Sequence, residues 1–119
     1  MKERNNVVFK AALPGEGKTR WLLDIAKCYL EDECKPVYMF TTDDEMYSKF
    51  CDKYFKLYNT ICQVTRLTNL SDVTEDSVII IDDLFANPDV RMSDITSIIN
   101  SCYKMYITLN GWSYMWYEL

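Results

Sequence analysis

The sequence predicts a three-layer α/β domain, a mainly parallel sheet with helices on both faces. Three observations lead there. Short apolar runs alternate with stretches of helical period, the pattern of strand–helix–strand units. The first strand-like run, Asn6 to Ala11, enters an eight-residue stretch from Ala12 to Thr19 that reads Ala-Leu-Pro-Gly-Glu-Gly-Lys-Thr. This stretch fits the phosphate-binding loop pattern G-x-x-x-x-G-K-S/T, with Ala12 in the first glycine position. Later, the β-branched run Val78-Ile79-Ile80-Ile81 ends in Asp82-Asp83. That places two carboxylates at the carboxyl end of a buried strand, where open α/β sheets hold their ligands.

The elements follow in order. Val7, Val8 and Phe9 read as a buried central strand. After Thr19, Leu22, Ile25, Ala26, Tyr29 and Leu30 keep helical spacing until Glu31-Asp32-Glu33 and Pro36 end the helix. Val37 to Thr41 is too short for a helix and reads as a second strand. Thr42-Asp43-Asp44-Glu45 has capping-box spacing with Thr42 as the cap. The helix it opens carries Met46, Tyr47, Phe50, Cys51 and Tyr54 on one face, a core stripe. Ile61 to Leu67 alternates loosely, as a short edge strand does, and Thr68 to Ser77 is a polar loop. Asn87-Pro88-Asp89 breaks the chain, and Ser93 is placed to cap a helix bearing Ile95, Ile98, Ile99 and Cys102. Lys104 to Leu109 returns as a strand. The end, with Trp112, Tyr114, Trp116 and Tyr117, has two readings: an edge strand closing the core, or an exposed docking surface.

Length and composition bound the function. At 119 residues the chain is expected to form one domain, residues 1–119, without internal repeats or linkers. Apolar residues make up 49%, enough to exclude a disordered chain. The apolar runs are too short for a membrane span or a signal peptide, so a cytoplasmic protein is expected, in the host cytoplasm if the source is viral. Five cysteines with no C-x-x-C pair, and no histidine, argue against zinc and for reduced thiols. The net charge of −5 is uneven, since after residue 66 the basic residues are Arg91 and Lys104. Such a surface repels a polyanion unless basic groups cluster in the fold, so nucleic acid is expected to be met indirectly or through an assembly.

The loop and the acidic strand end assign chemistry to residues. Gly15 and Gly17 let the backbone of Pro14, Gly15, Glu16 and Gly17 approach a phosphate closely. The unpaired N–H groups of Lys18, Thr19 and Arg20 at the helix start face the same anion. Lys18 reaches the β- and γ-phosphates, and the Thr19 hydroxyl can ligate Mg²⁺. Asp82 can hold the metal through its water shell, and Asp83 is placed to orient or deprotonate an attacking water. Asn110, at the end of the last strand, either stands beside the γ-phosphate or is a turn former before Gly111.

Taken together, Ala12–Thr19, Val78–Asp83 and the Thr108–Asn110 strand end resemble the Walker A, Walker B and sensor-one elements of P-loop NTPases. Their order resembles the division with an additional central strand, which includes RecA-like motors, helicases, AAA+ proteins and viral packaging ATPases. Ile81-Asp82-Asp83-Leu84 is similar to the Walker B of AAA+ initiators and helicase loaders, and Val37 to Tyr54 resembles the matching part of superfamily 1 helicases. The resemblance implies a three-layer P-loop NTPase fold with the Walker A strand near the sheet centre. It also implies an ATP–Mg²⁺ site with Lys18, Thr19, Asp82 and Asp83 in the roles above. The chain departs from the pattern at Ala12, at Asp83 where Glu is commoner, and in having no AAA+ lid. Arg66 and Arg91, read as solvated, leave no evident arginine finger. The expectation is a minimal Mg²⁺-dependent ATPase working in a homo-oligomer or on a protein partner. The alternative is a nucleotide-gated regulatory module docked on a larger ATPase. A nucleotide kinase is disfavoured, because no arginine-rich lid is visible.

Overall fold

The computed structural model describes residues 6–12, 17–84 and 90–110, with Ala12 and Asn110 described for the backbone alone. The expectations for Pro14, Gly15, Glu16, the Asn87–Asp89 break, the Asn110 side chain and the aromatic end from Trp112 lie outside the described residues. The elements are β1 (Val7–Ala12), α1 (Lys18–Lys27), β2 (Val37–Phe40), α2 (Asp44–Tyr58), β3 (Thr65–Leu67), β4 (Val78–Ile81), α3 (Met92–Ile98) and β5 (Lys104–Asn110). The five strands form one sheet in the order β1-β5-β4-β2-β3, and every neighbouring pair is parallel. The α/β class with a parallel sheet is therefore as the sequence predicts.

β1 is not where the sequence reading puts it. Among the described residues it is an outer strand, because β5 pairs along its whole length and separates it from β4. Its side chains follow: Val7 and Val8 are half-buried and Phe9 is 42% exposed. The buried centre is β4, whose Val78, Ile79, Ile80 and Ile81 are all fully buried. Period-two alternation sends Val78 and Ile80 into one core cluster and Ile79 and Ile81 into the other. The first cluster takes Leu22, Leu23 and Ala26 of α1 with Phe50 and Tyr54 of α2. The second takes Ile95 and Ile98 of α3, with Met105, Ile107 and Leu109 of β5.

Helix ends explain how the segments start and stop. α1 runs into a wider π-turn, Cys28–Asp32, before the chain leaves through Glu33. α2 is capped by Asp43 rather than Thr42. The Asp43 carboxylate accepts from the backbone N–H of Glu45 at 2.9 Å and of Met46 at 3.3 Å, a charge-assisted cap at the positive helix end. α3 begins at Met92 with Arg91 in the cap position, two residues earlier than a Ser93 cap allows; the Asp94 carboxylate accepts from the Arg91 N–H at 3.2 Å. The loose alternation from Ile61 yields a strand at Thr65–Leu67 on the β2 edge, while Ile61 is 72% exposed. Among the described residues no helix is long and apolar enough to cross a membrane.

Candidate functional site

Parallel register sets the site. Ile81 of β4 lies across from Ile107 of β5, so Asp82 emerges beside Thr108. By alternation Asp82 shares the face of Val78 and Ile80, the face that α1 covers. The start of α1 completes the cluster: the Thr19 hydroxyl donates to Asp82 Oδ2 at 2.9 Å, across 63 residues of sequence. The Thr108 hydroxyl donates to Asp82 Oδ1 at 3.0 Å and accepts from the Asp83 N–H at 2.7 Å. Both carboxylate oxygens of Asp82 are thus held, each by a different element.

Two backbone conformations frame this cluster. Gly17, the cap residue of α1, has φ 84°, in the left-handed region that a glycine adopts without cost. A Cβ built there meets nothing within 4 Å, so the requirement is conformational and not one of space. Gly17→Ala is expected to lower stability by about 1–2 kcal/mol, read by denaturant melting. Asp83 also has a positive φ, 57°. Aspartate and asparagine enter this region more readily than longer side chains.

Of the predicted residues, Thr19, Asp82 and Asp83 come together, and Lys18 is the first residue of α1, beside Thr19. Arg20 points its side chain along the outer surface of α1, where its Nε pairs with Asp24 at 3.3 Å. The Tyr58 hydroxyl also donates to Asp24 and, with Arg20 and Lys27 adding to it, holds that carboxyl below the usual carboxylate range. Arg66 is engaged elsewhere: its Nε donates to the Thr41 carbonyl at 3.1 Å and its guanidinium pairs with Asp44, tying β3 to the start of α2.

Three side chains receive no individual role from the sequence reading. Thr108 is fully buried and links β5 to both aspartates; its position two residues before Asn110 on the same strand face was the available signal. Lys49 and Lys53 line a cleft of about 230 Å³ that also contains Thr19 and Asp82. With Lys56 they follow i, i+4, i+7 spacing, one stripe of α2, which is legible once the helix is placed. Asp43 and Glu45 complete the rim of that cleft.

A hydroxyl and a carboxylate oxygen side by side are hard donors, and they suit Mg²⁺. That ion keeps most of its waters and takes few protein ligands besides substrate phosphates. Among the described residues no group of three or more Asp, Glu, His or Cys could cage a metal by itself, as Zn²⁺ or Ca²⁺ would need. Comparison with known protein families and with curated proteins finds no match to this sequence, so the functional reading rests on these residues and their geometry.

Proposed function

We propose that the chain is a P-loop NTPase of three layers that binds ATP with Mg²⁺ and hydrolyses it, in a homo-oligomer or on a protein partner. The observation that carries this reading is the 2.9 Å bond from Thr19 to Asp82. A Gly-Lys-Thr turn occurring by chance has no reason to meet an acidic strand end. The position of β5 between β1 and β4 gives further support, since it is the arrangement expected of the additional-strand division.

In this reading the backbone of Pro14 to Arg20 and the Lys18 ammonium bind the phosphates, and Thr19 and Asp82 hold the metal. Mg²⁺, when bound, neutralises charge on the β- and γ-phosphate oxygens. Asp83 orients the water and accepts its proton as the water oxygen bonds to the γ-phosphorus. The bond to the bridging oxygen breaks and leaves its electron pair on ADP; the proton passes on to solvent or phosphate. Asn110 stands by the γ-phosphate.

Lys18→Ala tests the binding step. Removing a cation that makes charge-assisted bonds to phosphate is expected to weaken ATP affinity roughly ten- to hundredfold by calorimetry. Unchanged affinity sinks the reading. The second reading, a nucleotide-gated module that docks on a larger ATPase, draws on one observation: among the described residues no arginine lines the cleft with Asp82. It predicts ATP binding without turnover at any protein concentration.

A further inference from the structure

We propose that Lys53 of α2 supplies, from within the same chain, the cation that stabilises charge on the phosphoryl group during transfer. The inference rests on the Mg²⁺–ATP reading above. Two clefts meet at Thr19. One, of about 230 Å³, joins Thr19 and Asp82 to α2; the other, of about 370 Å³, runs between α1 and α2 past Arg20 and Lys56. Thr19 and Lys53 line both, so Lys53 stands where the phosphate end of the site opens onto α2.

Among the described residues three neighbouring cations are committed, and Lys56, which has no ion pair, lies outside the cleft that holds Asp82. Lys49 pairs with Glu45 at 3.0 Å and Arg20 with Asp24 at 3.3 Å, while Arg66 is held at the β3 edge. Lys53 has no ion pair among the described residues. Its backbone is nonetheless fixed, because Phe50 and Tyr54, on either side of it in sequence, are buried to 2% and 1% exposure in the core. A fixed base with an uncommitted ammonium on a flexible stem can follow a moving charge.

The cleft calls for such a cation. Its walls carry Asp43, Glu45 and Asp82 against Lys49 and Lys53, and a triphosphate adds further negative charge. In phosphoryl transfer that charge spreads over the equatorial oxygens and the leaving oxygen, so a cation placed there is worth most in the transition state. Lys53 moves no proton in this step. It holds charge while the electron pair of the broken bond settles on ADP.

The test compares a ground-state ligand with a transition-state mimic. With Mg²⁺, wild type is expected to bind ADP plus fluoroaluminate more tightly than ADP alone in calorimetry. Lys53→Ala should leave ADP affinity within about two- to threefold and cut the fluoroaluminate gain roughly tenfold. Turnover should fall through kcat with KM held. Lys53→Arg should recover part of the loss, and Lys56→Ala, in the same groove but away from Asp82, should change neither readout. The inference is overturned if Lys53→Ala matches wild type, if Lys56→Ala loses as much, or if wild type gains nothing from fluoroaluminate. Wild type that binds no nucleotide at all removes the ATP reading itself, a different result from any of these.

Discussion

Asp83→Asn is expected to keep ATP binding and to lower turnover by about 10²-fold or more. The substitution isolates one property. Asp83 sits at φ 57°, a backbone region that asparagine enters as readily as aspartate, so the turn survives the change. The main-chain bond from its N–H to Thr108 Oγ1 at 2.7 Å does not involve the side chain and survives as well. What disappears is the negative charge and the capacity to take a proton from water. The same conformation favours aspartate over glutamate at this position. A longer side chain gains nothing from the left-handed turn, and the shorter carboxylate is compatible with it. Steady-state ATP turnover with parallel calorimetry checks the expectation. A variant that hydrolyses as fast as wild type transfers the weight to the binding-module reading.

How much of this was legible in the sequence depends on what kind of physics each feature obeys. The run Val78–Ile81 is a strand in the structure because four consecutive β-branched residues have few other uses, and that is a local property. The meeting of Thr19 with Asp82 was legible because two sparse patterns, each weak alone, constrain each other. The sheet order was not. Periodicity reports how a residue is buried, not which strand lies beside it, and the pairing of β5 with both β1 and β4 is a long-range choice. Phe9 shows the consequence, an aromatic in a strand called central that is 42% exposed. The α2 cap shifted by one residue because Thr42 and Asp43 both suit the position. The carboxylate makes the stronger bonds to N–H groups at a helix start, and Thr41 Oγ1 accepts from the Asp43 N–H at 3.1 Å to fix the turn. Lys53 is inconspicuous in the sequence because the apolar face of α2 defines the helix, and a lysine stripe on the opposite side looks like any solvated face until the cleft is seen.

Thr108→Val is expected to destabilise the domain by about 2–3 kcal/mol and to raise the Mg²⁺ concentration needed for tight ATP binding several-fold. Valine keeps the shape and removes one oxygen that serves two bonds. The donation to Asp82 Oδ1 at 3.0 Å is to a carboxylate, and bonds of that kind contribute about 1.5–3 kcal/mol. The second loss falls on the Asp83 N–H, whose 2.7 Å acceptor disappears at a position where Thr108 is fully buried and water has no ready access. An unsatisfied buried donor costs a further 1–3 kcal/mol or so, partly offset by the greater apolar burial of valine. Asp82 then loses the donor to its Oδ1 and can rotate away from the proposed metal position, and this is why the effect should reach Mg²⁺ as well as stability. Thr108→Ser separates the causes: it restores the hydroxyl and loses one methyl, so it should cost about 1 kcal/mol and leave the Mg²⁺ requirement unchanged. Denaturant melts and ATP titrations at graded Mg²⁺ read both effects. If valine matches serine in both measurements, the Thr108 hydroxyl does not orient Asp82.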